Sequence, residues 1–121
     1  MNRRETGRNG ELIAAAYLKN SGYRIVGMNF HARVGEIDII AENGGNLSFV
    51  EVKNWRKYDY SNIEYVFNNR KKSKMILTSR YFLLKNPEFE EHSVSYDVIF
   101  IKNGNEKIKH LKNIFMETDG L

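Results

Sequence analysis

The chain has 121 residues, 41% of them hydrophobic, with one proline and no cysteine: enough for one domain around a buried core, and no material for disulfides, thiolate metal sites or cysteine nucleophiles. Lysine and arginine outnumber aspartate and glutamate by 19 to 15, a net charge of +4. The excess is local, because residues 53–85 carry nine basic and two acidic side chains while the rest is acidic by three, which fits either a polyanion-binding surface or a solvated basic helix face.

The N-terminal stretch "MNRRETGRNGELIAAAYLKN" holds no apolar run long enough to span a bilayer. With the absence of cysteine, it leads us to expect a cytoplasmic protein with no membrane partner. Residues 6–20 have good helix formers (Ala14, Ala15, Ala16) and an apolar face (Leu12, Ile13, Tyr17, Leu18). Ser21-Gly22 should stop this helix, with Gly22 as a left-handed cap. Residues 23–30 read as a strand, "HARVG" as a turn, 36–42 as a strand, "NGGN" as a hairpin loop and 47–53 as a third strand. Ser61 and Glu64 have capping-box spacing. A longer helix is expected over 71–84, ended by Asn86-Pro87. Residues 95–102 then form a fourth strand and 106–115 a last one. The order is that of a mixed α/β domain, one unit over residues 1–121, with a central sheet flanked by helices.

The stretch "GEIDIIAENGGNLSFVEVK" puts charges into core-like strands. A type I′ turn at Gly44-Gly45 pairs Ile40 with Phe49, Asp38 with Glu51 and Glu36 with Lys53. Ile37, Ile39 and Ala41 then share the opposite, apolar face with Val52, Val50 and Ser48. Directly opposed side chains stand about 4.5–5.5 Å apart at Cβ, so Asp38 and Glu51 should repel unless a divalent cation lies between them. An oxygen-only ligand set suits Mg²⁺ or Mn²⁺ rather than zinc. A Lys beside such a cation suits phosphodiester hydrolysis. The plainer alternative is a solvent-exposed sheet face with alternating charges, since short motifs match by chance.

"GRNGELIAAAYL", "GYRIVGMNFHARVGEIDIIA", "FVEVK" and "SYDVIFI" occur in order and together resemble the YraN family of small bacterial proteins, over residues 7–101. That family is similar to the restriction-endonuclease-like PD-(D/E)XK nucleases, notably Holliday-junction resolvases. The resemblance implies a restriction-endonuclease-like three-layer fold with an antiparallel β-hairpin at its core. It further implies that Asp38 and Glu51 hold Mg²⁺ or Mn²⁺, that Lys53 is the catalytic lysine, and that Glu11 adds a ligand or water contact. The competing reading of Glu11 is a first-turn acid favoured by the helix dipole. The expected activity is hydrolysis of DNA, in preference to RNA, on branched or damaged structures. The alternatives are a non-catalytic nucleic-acid-binding module and a structural adaptor. Resolvase-like enzymes often work as dimers, so a homodimer is a further expectation. The chain departs from the family pattern at His31, at Asn54-Trp55-Arg56, at "SYDV" where "RFDV" is common, and at Thr78 and Ser79 where alanines are common.

Arg70, Lys71, Lys72 and Lys74 open the long helix. A helix N-terminus disfavours cations, and an incoming phosphate would relieve that mismatch. These four, with Arg33, Arg56 and Lys57, are the candidate nucleic-acid contacts. Trp55 and Tyr58 could stack on bases or cover the sheet end. Asp97 is expected to be a structural hydrogen-bond acceptor, and His31, His92 and His110 to be surface or satisfied residues.

Overall fold

The structure, a computed structural model, describes residues 3–54, 67–102 and 107–117, without the side chains of residues 3–8 and 54. Trp55, Arg56, Lys57, Tyr58 and the capping box at Ser61 therefore lie outside the described residues.

Helix α1 (Arg3–Asn20) ends as its sequence implies. Gly22 takes φ +94°, and the Tyr23 and Gly22 N–H groups close back onto the Leu18 and Lys19 carbonyls at 2.9 and 3.1 Å, a cap that satisfies the last turn. Strands β1 (Arg24–Ala32), β2 (Gly35–Asn43) and β3 (Asn46–Asn54) follow as an antiparallel meander. The first turn is tighter than expected: β1 continues through Ala32 and leaves only Arg33-Val34 outside the strands. In the second turn Gly44 and Gly45 have φ +57° and +80°, the left-handed pair a type I′ turn needs. The resulting register, Ile40 opposite Phe49 and Ile39 opposite Val50, is the expected one.

Helix α2 (Asn69–Lys85) begins two residues before the expected Lys71 because Asn68 caps it, its Oδ1 accepting the Lys71 N–H at 2.9 Å. It stops before Pro87, where a short 3₁₀ turn (Pro87–Phe89) leads into β4 (Ser93–Lys102) and then β5 (Lys107–Phe115). The five strands lie in the order β1-β2-β3-β4-β5. All neighbours are antiparallel except β3 and β4. A parallel pair needs a crossover, and α2 lies within it.

Among the described residues, one helix packs on each face of this mixed sheet. Ala14, Ala15 and Leu18 of α1 pack with Ile39, Ala41, Val50, Ile99 and Ile101. Met75, Ile76 and Phe82 of α2 pack with Ile40, Phe49, Tyr96, Val98 and Phe100. Because both faces are covered, residues 37–41 are all buried rather than alternating.

One face assignment is corrected. Ile37 belongs with Phe49 on the α2 side, not with Ile39 and Ala41. Its partner Phe30 likewise packs on the α2 side, whereas Met28, paired with Ile39, packs on the α1 side. Between Met28 and Phe30, Asn29 has φ +51°, a left-handed residue that breaks the two-residue alternation of the strand. Asp38 lies across from it.

Tyr96 and Ser79 meet inside the core. Their hydroxyl oxygens are 2.7 Å apart and buried, so the phenol and the helix serine satisfy one another.

Candidate active site

The site forms where β2 and β3 part. Their ladder runs from Asn43–Asn46 to Ile39–Val50. Beyond it the Asp38 side chain replaces a backbone partner: Oδ2 accepts the Val52 N–H at 2.8 Å. Asp38 is thereby held at the mouth of a V between two strands, 8% exposed.

On β3 the alternation is regular. Val50 and Val52 turn to the α1 side, and Glu51 and Lys53 to the α2 side. Because β3 is flanked by β2 and β4, Glu51 is 6% exposed, and its charge must be met by neighbours. Two ammonium groups meet it on one oxygen: Lys53 Nζ at 3.4 Å and Lys71 Nζ, from the first turn of α2, at 3.2 Å from Oε1. The expected Glu36–Lys53 pairing does not form, because the ladder has ended. Glu36 instead pairs with His31 at 3.2 Å on the exposed end of the β1–β2 hairpin.

Burial first, and then the Glu51 charge, push the Asp38 carboxyl from 3.8 up to about 7. The Val52 N–H opposes this, Glu11 from the α1 side adds to it, and Lys71 lowers it. The three acids expected to act together therefore interact through Asp38. Among the described residues no group of three His, Asp or Glu side chains is close enough to enclose a metal, so no all-protein zinc or calcium cage is built. A pair of carboxylates does fit Mg²⁺ or Mn²⁺. Mg²⁺ characteristically takes one or two carboxylates and fills its other positions with water and phosphate oxygens.

The basic residues divide. Arg70 and Lys74 are exposed on α2. Lys72 turns away from the acids, its Nζ 5.8 Å from the centre of the Phe115 ring. Arg33 is exposed in the turn of the β1–β2 hairpin. That hairpin lies against α2 through Gly35, where a Cβ would stand 3.3 Å from Thr78 Oγ1 and 3.6 Å from Lys74 Cβ. Arg33 and Lys74 are thus brought to one neighbourhood by a close approach that leaves little room for a side chain at residue 35. What sequence reasoning missed is the role of Lys71. Expected as one of four phosphate contacts, it is also an ion-pair partner of Glu51, and nothing in the spacing from residue 51 to residue 71 signals that contact.

Asp97, at 1% exposure, is the structural acceptor expected of it. It takes the Asn113 N–H at 3.0 Å and pairs with His110 Nε2 at 2.9 Å. His92 is half-buried and pairs with Glu42, which also holds Arg24. No helix among the described residues is long and apolar enough to cross a membrane.

Comparison with known proteins points one way. The profile of the uncharacterised protein family UPF0102 matches residues 10–101. A UPF0102 protein of Persephonella marina is 43% identical over 109 residues, covering 90% of this chain and 91% of its own length. UPF0102 proteins of Clostridium botulinum strain 657 and Syntrophomonas wolfei are each 38% identical, with 93% of this chain and 94% and 98% of theirs aligned. A match over most of the chain, at this identity and at nearly full length in each relative, makes this protein a member of the UPF0102 family, the YraN family to which its motifs were likened.

Proposed function

We propose that this protein is a divalent-metal-dependent nuclease with a restriction-endonuclease-like fold, hydrolysing DNA phosphodiester bonds in branched or damaged DNA. The observation that carries the reading is the convergence of Asp38, Glu51 and Lys53 at the point where the β2–β3 ladder opens. Buried carboxylates side by side are costly, and a cation between them turns the repulsion into attraction. Asp38 and Glu51 would hold the ion, with Asp38 kept in place by the Val52 N–H. Mg²⁺ or Mn²⁺ there would supply a Lewis acid for water and phosphate. Lys53, 41% exposed, would orient the attacking water or stabilise charge developing on the phosphate. Arg33, Arg70 and Lys74 lie on the exposed rim, where they would meet the backbone of the nucleic acid.

A second reading has an observation of its own. Lys53 and Lys71 already neutralise Glu51, which suits a nucleic-acid-binding module that keeps the fold without turnover. Calorimetric titration of Mn²⁺ separates the two, with and without a short duplex, into the wild type, Asp38→Asn and Glu51→Gln. The nuclease reading expects saturable binding in the wild type that both variants lose. Identical traces from all three proteins, duplex present, would sink the nuclease reading and leave the binding module or the structural adaptor.

A further inference from the structure

We propose that Lys71 is a built-in counter-ion for Glu51: it holds the carboxylate in the metal-free protein, yields it to the divalent cation, and is then free to take a phosphate oxygen of the nucleic acid. The inference rests on the reading of Asp38 and Glu51 as a metal-holding pair, and it adds a linkage between metal and nucleic acid at that site.

Three observations carry it. First, Lys53 and Lys71 approach the same oxygen of Glu51, at 3.4 and 3.2 Å, and a doubly charged ion arriving at that carboxylate would repel both ammonium groups. Second, the two lysines differ in their tether. Lys53 stands two residues from Glu51 on the same strand, at the spacing that places both on one face. Lys71 comes from another element and only its tip reaches the site. Its backbone is fixed by the Asn68 cap, while its side chain is one-third exposed. Third, the first turn of α2 holds Arg70, Lys71 and Lys72 and no acidic residue, so an ammonium that leaves Glu51 has nothing negative on its own helix to receive it. The N-terminal end of the helix dipole repels it as well. An anion brought to this rim is the partner it lacks, and beside Arg70 and Lys74 the available anion is a phosphate of the bound strand.

Linkage makes the consequence measurable. If releasing Lys71 opposes metal uptake and favours phosphate contact, Mn²⁺ and nucleic acid must raise one another's affinity by the same factor. Lys71→Met keeps the stem and removes the charge, and Lys71→Arg keeps the charge. Mn²⁺ affinity is read by calorimetry on the whole chain. Affinity for a short phosphorothioate duplex, chosen to resist hydrolysis, is read by anisotropy with and without Mn²⁺. We expect Lys71→Met to bind Mn²⁺ roughly tenfold more tightly, a coupling of ordinary allosteric size, and to lose most of the Mn²⁺-dependent gain in duplex affinity. Lys71→Arg should stay near the wild type in both. Unchanged or weaker Mn²⁺ binding in a folded Lys71→Met, with binding still abolished by Asp38→Asn, would overturn the exchange and leave the metal pair standing. Absence of Mn²⁺ binding in the wild type, duplex present, would remove the metal pair itself and the exchange with it.

Discussion

The chain buries two aspartates in one sheet, and their surroundings are opposite. Asp97 on β4 has its oxygens answered by the Asn113 N–H and by His110. Asp38 on β2, nearly as buried, has one N–H as a hydrogen-bond partner and two acids whose repulsion the Lys71 charge only partly offsets. The first arrangement stabilises a fold. The second works against it in the absence of a cation, and unrelieved buried charge tends to gather where proteins bind or react. Burial alone therefore does not tell these two environments apart. What separates them is whether the neighbours finish the hydrogen bonding.

Three experiments can break or sharpen this contrast. The largest effect should come from Asp97→Ala, which strands a buried histidine and a backbone N–H. Urea denaturation should show a loss of about 3–5 kcal/mol, and a loss below about 1 kcal/mol would mean that the pair contributes little.

Asp38→Asn should act in the opposite direction. A carboxyl held near 7 in the folded chain and near 3.8 in the unfolded one favours the fold fully below pH ~4. That contribution is lost as the pH rises to about 7. The metal-free variant should therefore be more stable than the wild type at pH 7.5, by on the order of 2–4 kcal/mol, with the gain vanishing toward pH 4. Mn²⁺ should raise the melting temperature of the wild type and leave that of the variant unmoved. A variant less stable than the wild type at pH 7.5 would place Asp38 with Asp97, as a structural acceptor.

The smallest effect concerns a neutral pair. Tyr96→Phe removes one side of the 2.7 Å contact with Ser79, whose hydroxyl keeps the Ile76 carbonyl as a partner. A cost of about 1 kcal/mol is expected. The cycle with Ser79→Ala should give a coupling of ~0.5–1.5 kcal/mol, and strict additivity would show the two groups to be independent.

Much of the fold was legible because it is written in local chemistry. Gly44-Gly45 can make the tight hairpin turn with little strain, and that turn sets the register that brings Asp38 toward Glu51. Gly22 ends α1, and Pro87 marks the end of α2. The face of Ile37 was not legible, because the left-handed Asn29 of a neighbouring strand decides it. Nor was the Glu36 partner, since pairing Glu36 with Lys53 requires a ladder that in fact stops at Ile39 and Val50.

By itself, then, the sequence determined the element order, the hairpin and the two carboxylates with their lysine. Each follows from interactions between residues near in the chain, or from the register that one turn imposes. Only the tertiary structure decided that Lys71 joins the acidic pair, that Glu36 pairs with His31 and not with Lys53, that Lys72 turns to Phe115, and that the Arg33 hairpin lies against α2. Those contacts join segments far apart in sequence. They depend on how one helix is seated on the sheet, which the buried Met75, Ile76 and Phe82 determine through packing that no local pattern encodes.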